Sequence, residues 1–393
     1  MSEWKEKTLG ELSIRVSSGL TPLKSNKEFW ENPIIPWLKT DQLGEKYIFD
    51  TNTKISKEAL EQTSLRIYPE NTISIAMYGE GKTRGNLSII KAPMTTNQAC
   101  CNIELDTKLA DVEYVYYYLK TQYDALRKLS SGVRKNLSSN DIKNYKIYIP
   151  ESVSFQKSIV RILTSLDNKI SVNNQINQEL EAMAKTLYDY WFVQFDFPDQ
   201  NGKPYKSSGG KMVYNPELKR EIPEGWGVEK LSHFLTIKNG KDHKHLQDGE
   251  FAVYGSGGIM RMVTEYLYSG ESILFPRKGT LNNVMYVNEK FWTVDTMFYS
   301  EVNKNNSALY VFYSVKDIDF NKLNTGTGVP SMTSSILYDL NIIVPEENIL
   351  EKFNTIVKQN YETIKLNSIQ NQELTQLRDW LLPMLMNGQV KVE

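Results

Sequence analysis

The run Ala76-Met77-Tyr78-Gly79-Glu80-Gly81-Lys82-Thr83 ends in the Gly-Lys-Thr of a phosphate-binding loop and follows a β-like stretch. Two features argue against nucleotide binding there. Ala76 stands where the motif wants glycine, and Arg84-Gly85-Asn86-Leu87-Ser88-Ile89-Ile90 reads as turn then strand. A phosphate loop needs a helix N-terminus at that point as its anion site. Asn215-Pro216-Glu217-Leu218 lacks the second proline and the aromatic residue of an amino-methyltransferase signature. Tyr254-Gly255-Ser256-Gly257-Gly258 has the glycine content of a nucleotide loop but reads better as a tight turn. His243 and His245 have no carboxylate or cysteine set around them at ligand spacing, so no metal site is expected. No Gly-x-Ser-x-Gly elbow occurs. Cys100 and Cys101, the two cysteines, are adjacent and form neither a disulfide framework nor a four-ligand zinc site. No catalytic residue is expected in this chain.

Composition narrows the class. The 393 residues are enough for two to three domains. Lys plus Arg (46) and Asp plus Glu (47) nearly cancel, so a polyanion partner would require positive charge gathered locally. The start, Met1-Ser2-Glu3-Trp4-Lys5-Glu6-Lys7, has no apolar h-region, and no run approaches the roughly 20 apolar residues of a membrane span. A reducing, cytoplasmic setting is expected.

The elements that must carry any chemistry are duplicated. Asn177-Gln178-Glu179-Leu180 recurs as Asn371-Gln372-Glu373-Leu374, an offset of 194. Upstream the offset drifts to 195 (Ile147 on Ile342, Pro150 on Pro345) and 196 (Tyr114-Val115 on Tyr310-Val311). At the front, Trp4 and Leu9 share the spacing of Trp226 and Leu231. Ordered matches with slowly changing offset mean one scaffold used twice with different loops. The first globular part carries 26 extra residues between matched landmarks. The expected layout is a globular part at 1–150, a long helix at 151–195, a linker at 196–222, a second globular part at 223–345 and a second long helix at 346–389.

Ile159, Leu163, Leu166, Ile170, Asn173, Asn177, Leu180, Ala184, Leu187 and Trp191 alternate spacings of four and three, the seam of a coiled coil. Ser152 or Ser154 can cap its start. The second helix shows Phe353, Val357, Ile364, Leu374, Leu381 and Leu385, interrupted by Asn360, Asn367, Asn371 and Arg378. Asn348, with Glu351 three residues on, is its expected N-cap, and Pro383 followed by Asn387-Gly388 its end. Asn173, Asn177, Asn367 and Asn371 interrupt the two seams at matched places and are assigned to register. Short strands are expected at Thr72–Met77, Leu87–Ile90, Tyr145–Ile149, Ser272–Phe275, Asn283–Val287 and Asn341–Val344, with helices near Val112–Lys120 and Leu309–Val315.

What remains chemically is a set of loops rich in Gly, Asn, Ser, Thr and basic residues. In the first part the candidates for DNA contact are Lys39, Thr40, Lys82, Thr83, Arg84, Asn86, Arg134, Lys135 and Asn136. In the second they are Lys244, Arg277, Lys278, Thr280, Asn282 and Ser331. Lys and Arg meet phosphates, Arg and Asn pair base edges, and glycine lets the backbone approach. Residues 1–150 carry 21 basic and 18 acidic residues, residues 223–345 carry 11 and 13, so charge alone does not single out the second part. Ordinary solvated loops are the competing reading. Lys82–Asn86 and Arg277–Asn283 occupy equivalent places in the repeat, which favours a shared role.

The chain resembles the specificity (S) subunits of type I restriction–modification enzymes. The resemblance rests on Trp4 and Leu9 with Ile35-Pro36-Trp37-Leu38-Lys39-Thr40, and on Leu166-Asp167-Asn168-Lys169-Ile170 through Tyr190-Trp191-Phe192-Val193. Ile222-Pro223-Glu224-Gly225-Trp226, Arg277-Lys278-Gly279-Thr280 and Leu381-Leu382-Pro383 through Asn387-Gly388 also carry it. One departure is Leu281, which follows Thr280 where members often have glycine. The resemblance implies an α+β fold: two mixed α/β target recognition domains separated by two long antiparallel helices forming a coiled coil, with a pseudo-twofold internal repeat. It implies double-stranded DNA as ligand and two modification (methyltransferase) subunits and restriction (motor and nuclease) subunits as partners, with no membrane. It implies that S-adenosylmethionine, ATP and Mg are used by those partners and no cofactor by this chain. Two other readings stay open: a nucleotide-binding enzyme using Gly81-Lys82-Thr83, and a coiled-coil scaffold that binds no DNA.

Overall fold

The computed structural model describes residues 3–79, 83–129, 136–324, 326, 328 and 330–390. The chain divides into two compact units. Unit 1 comprises residues 1–172 and 370–393, and unit 2 comprises residues 173–369.

Unit 1 begins with β1 (Trp4–Thr8) and β2 (Ser13–Ser18). Then come β3 (Ile35–Leu38), β4 (Tyr47–Ile48), β5 (Lys54–Ile55) and the short helix α1 (Lys57–Gln62). Strands β6 (Ile73–Ala76), β7 (Leu87–Ile90), β8 (Thr95–Thr96) and β9 (Cys100–Leu105) complete the sheets. Helices α2 (Val112–Thr121), α3 (Tyr123–Lys128) and α4 (Ser139–Lys143), strand β10 (Lys146–Pro150) and the start of α5 (Val153–Tyr188) follow. The main sheet has the order β2-β9-β6-β7-β4, antiparallel except for the β4–β7 pair. Part of the excess length of the first part forms a separate small sheet, β5-β3-β8.

Unit 2 contains the end of α5, then β11 (Met212–Asn215), β12 (Arg220–Pro223), β13 (Gly227–Lys230) and β14 (Leu235–Asn239). Next are β15 (Asp248–Gly255), β16 (Gly258–Val263), β17 (Tyr268–Pro276), β18 (Met285–Thr293) and β19 (Met297–Val302). Helices α6 (Ala308–Lys316) and α7 (Ser334–Tyr338), strand β20 (Asn341–Val344) and α8 (Glu347–Met386) end it, with the last part of α8 belonging to unit 1. Its sheet order is β14-β19-β17-β18-β15-β16. The first four strands repeat β2-β9-β6-β7, and the fifth is again parallel to its neighbour.

The repeat extends to single hydrogen bonds. Leu9 N–H donates to the Tyr145 carbonyl at 2.9 Å, and Leu231 N–H to the Leu340 carbonyl at 2.9 Å. The Tyr114 hydroxyl donates to the Tyr148 carbonyl (3.4 Å), and the Tyr310 hydroxyl to that of Ile343 (2.7 Å). Gly19 and Gly240 each follow the edge strand and donate to the strand beside it, to the carbonyls of Cys100 and Met297. A methyl group at Gly19 would lie 2.2 Å from the Thr96 carbonyl oxygen, and one at Gly240 2.0 Å from that of Val294. Gly19→Ala and Gly240→Ala should therefore each destabilise their own unit by about 3 kcal/mol, the upper range for overpacking. Denaturation followed by unit-specific proteolysis checks this, with Gly257→Ala, which meets no atom within 4 Å, as the neutral control.

All ten seam positions, Ile159 to Leu187 in α5 and Trp191 in the helical turn Asp189–Val193 that follows it, are buried or half-buried, while most positions between them are exposed. The α8 seam residues from Phe353 to Leu385 behave alike, the polar interruptions included. In each unit the α5 and α8 segments join the core: Ile159, Val160, Leu163, Leu385 and Met386 in unit 1, Ala184, Phe353 and Val357 in unit 2. In unit 2 the Asn367 amide donates to Asn177 Oδ1 at 2.8 Å and that of Asn360 to the Leu180 carbonyl, so the segments run antiparallel. Asn173 is fully buried and Asn371 half-buried.

One cap differs from expectation. Ser152 does cap α5, accepting from Phe155 N–H at 3.3 Å. In α8, however, the Glu346 carbonyl accepts from Ile349 and Leu350, so the helix starts one residue before Asn348 and no capping box forms. The helix also runs through Pro383 to Met386. Proline in the last turns forgoes one hydrogen bond and breaks little. Gly388, at φ +68°, makes the stop at the expected Asn387-Gly388.

Candidate nucleic-acid interface

In unit 2 five segments converge. The loop after β17 is pinned at its start by Arg277 N–H to the Thr296 carbonyl (2.8 Å) and Met332 N–H to the Arg277 carbonyl (2.9 Å). Lys278 bridges to Ser331, and Gly279, at φ +90°, donates to the Pro330 carbonyl. Leu281 is wholly buried and anchors the loop in the core. That explains an apolar residue where a glycine would leave the loop loose. The Asn283 amide donates to the Ser256 carbonyl at 2.8 Å, tying in the Tyr254–Gly258 turn. Lys241 N–H reaches the Thr293 carbonyl, and Val294 N–H that of Tyr254, so the 241–245 loop joins the same surface. Asn324 Oδ1 accepts from both Gly326 and Ser331 N–H at 2.8 Å.

The side chains of Lys241, Lys244, Arg277, Lys278, Thr280 and Asn282 are exposed on this surface. The Arg277 guanidinium lies 5.8 Å from the Phe298 ring centre, a cation–π contact on an exposed residue. Asn282 donates to Asp319 at 3.1 Å. Ser331 is half-buried, with its backbone N–H bonded to Asn324. The aromatic and glycine content of Tyr254–Gly258 serves a two-residue hairpin turn, as its spacing predicts.

In unit 1 the corresponding loop joins β6 to β7, the same strand pair in the repeat. Lys82, Arg134 and Lys135 lie outside the described residues, as do Glu80 and Gly81. Thr83 leads through the Gly85-Asn86 turn into β7, so no helix follows to offer a phosphate its N-terminus. Thr83 and Arg84 are half-buried, and Asn86 directs its amide to the Leu43 carbonyl at 3.1 Å. Lys39 and Thr40 follow β3, where Leu38 accepts from Asn97 N–H, and Lys39 pairs with Asp41 at 3.8 Å. Leu137 N–H reaches the Met77 carbonyl, which places Asn136 beside the start of the same loop. The C-terminal ends of β2 and β6 and the N-terminal ends of β7 and β9 lie at one end of the sheet, so these loops share one face.

One cluster is absent from the sequence reading. Lys46 Nζ lies 2.9 Å from Glu113, 3.4 Å from Asp167 and 2.8 Å from the Tyr117 hydroxyl. Tyr117 donates to Asp167, and Arg378 on α8 meets the other Asp167 oxygen at 3.0 Å. Burial, then the bond to Asp167, raise the Tyr117 hydroxyl far above its usual range, so it remains a donor. Arg378 interrupting an apolar seam was the available signal: a half-buried guanidinium requires a carboxylate.

Among the described residues no group of three or more His, Cys, Asp or Glu side chains could hold a metal ion, and no helix is long and apolar enough to cross a membrane. Cys100 and Cys101 are buried, and burial pushes their thiols up to about 12, which leaves them unreactive near neutral pH.

The family model for the type I restriction modification DNA specificity domain matches residues 1–182 and 223–376. The type I restriction enzyme MjaIX specificity subunit of Methanocaldococcus jannaschii is 30% identical over 100% of this chain and 94% of its own. The EcoprrI specificity subunit of Escherichia coli is 25% identical over 90% and 89%. Among solved structures, the type I restriction–modification S subunit of M. genitalium superposes with a TM-score of 0.63 at 17% identity, covering 98% of this chain and 96% of that one. That likeness concerns the fold.

Proposed function

The chain belongs to the family of type I restriction–modification specificity subunits, and from that premise we propose that each of its units reads one half of a bipartite duplex DNA site while α5 and α8 set the spacer. The observation that carries this reading is the duplicated hairpin loop. The β6–β7 and β17–β18 loops hold the same position in the repeat, and the described one in unit 2 exposes Arg277, Lys278, Thr280 and Asn282 together. Basic side chains gathered on one surface compensate for a chain whose net charge is −1. Base edges are distinguishable in the major groove, which is where these loops would act.

In this reading Lys39, Thr40, Thr83, Arg84 and Asn136 in unit 1 and Lys244, Arg277, Lys278, Thr280 and Asn282 in unit 2 face DNA. Lys82, Arg134 and Lys135 complete the set, while Asn86 and Ser331 support their loops. Catalysis falls to partner chains in the cytoplasm. Two modification subunits would methylate adenine with S-adenosylmethionine, and restriction subunits would use ATP and Mg.

Arg277→Ala should weaken or relax the half-site read by unit 2 by about 1–3 kcal/mol and leave the other unchanged. Arg84→Ala should do the reverse. Selection of bound sequences from a library randomised at both half-sites, with the modification subunits present, measures both at once. Equal loss at both half-sites, or none at either, would reject the loop assignment.

A further inference from the structure

The two reading loops are supported from the same place in the repeat by unlike chemistry. In unit 1, α3 follows α2 and lies under the β6–β7 loop. Arg127 Nη1 donates to the Arg84 carbonyl at 3.3 Å and to the Tyr123 hydroxyl at 2.6 Å, and its guanidinium lies 5.2 Å from the Tyr123 ring centre. The pair presses against Gly85: a methyl group there would be 3.2 Å from Arg127 Cγ and 3.3 Å from the Tyr123 ring. Gly85 sits at φ +89°, so the turn is both close-packed and left-handed at this point. Tyr123 and Arg127 are half-buried.

With the offset of 196 that aligns Tyr114 with Tyr310, Tyr123 aligns with Asp319. Asp319 follows α6 as Tyr123 follows α2, and it accepts from the Asn282 amide at 3.1 Å in the loop after β17. It also accepts from Asn321 N–H at the head of its own helical turn, which orients the carboxylate. A donor thus holds a loop carbonyl in unit 1, and an acceptor holds a loop side chain in unit 2.

We propose that Tyr123 with Arg127, and Asp319, are positioning residues that fix each reading loop from beneath and so set the sharpness with which that unit discriminates its half-site. The inference rests on the loops being the reading elements. A base-edge contact depends on loop placement to a fraction of an ångström, so freeing the loop lowers discrimination.

The test uses the full chain assembled with its modification subunits and selects from DNA randomised at both half-sites. Arg127→Ala and Tyr123→Phe should flatten the unit 1 half-site by about tenfold, the lower range for one base contact. The unit 2 half-site and the melting temperature should not move. Asp319→Ala should flatten the unit 2 half-site alone. Asp319→Asn, which keeps an acceptor for Asn282, should stay near the parent. If Arg84→Ala and Arg277→Ala blunt their half-sites while the supporting variants do not, the support is overturned and the loop assignment stands. If the loop variants are silent as well, both fail. Equal flattening of both half-sites by Arg127→Ala also overturns it, since that marks a global effect.

Discussion

One extra heptad in each long helix should lengthen the preferred spacer by up to about three base pairs and leave both half-sites unchanged. Seven residues at about 1.5 Å rise add about 10 Å, against 3.4 Å per base-pair step. Seven is the appropriate number because it keeps the four–three alternation from Ile159 to Trp191 in phase, and with it the matching positions of α8. The insertion belongs between Asp167 and Ile170 in α5 and between Leu374 and Arg378 in α8, so that the Asp167–Arg378 pair, the Asn177–Asn367 bond and the aromatic residues around Phe192 and Phe353 are not interrupted. Bound sequences selected from a library of variable spacer length give the result directly. A half-site that changes while the preferred spacer stays fixed would mean that the helices do not set the spacing.

A large effect on stability is expected at Asp167, where an ion pair is broken. Its two oxygens serve three partners: Lys46 and Tyr117 on one, Arg378 on the other. Its side chain and those of Lys46 and Glu113 are less than one-fifth exposed. Asp167→Ala leaves Lys46 with Glu113 and Arg378 with the exposed Asp379, and should cost about 3 kcal/mol, the low end for a broken buried pair. Asp167→Leu combined with Arg378→Met should recover most of that loss, because an apolar pair of similar volume removes the stranded charge. Denaturation curves of the two single variants and the double variant decide it. Additive losses would show that the pair is not coupled.

Parts of the architecture follow directly from residue pattern. The seam is readable because period and burial coincide on α5, and because Asn at matching places in two helices is hard to explain otherwise. Strands Leu87–Ile90 and Asn341–Val344 appear in the structure with the limits their apolar runs suggest. Helix starts are less legible. Asn348 is a good cap by type, yet the backbone of Glu346 begins the helix. Of the site, the sequence shows which loops are polar and basic but not which side chains are spoken for. Asn86 has the chemistry to read a base, and its amide is bonded within its own unit, to the Leu43 carbonyl. The Lys46 cluster draws on residues more than a hundred positions apart, a separation no local pattern encodes. The small β5-β3-β8 sheet and the β15–β16 hairpin are features of one unit each, so the repeat could not announce them.

The matched anchors at the base of each unit, Leu9 and Leu231 on their carbonyls, Tyr114 and Tyr310 on theirs, carry a further consequence. They form a standardised socket. Gene segments exchanged between such sockets would transplant a new recognition vocabulary without disturbing the seam, so the letters of a target and the gap between them can evolve on separate schedules.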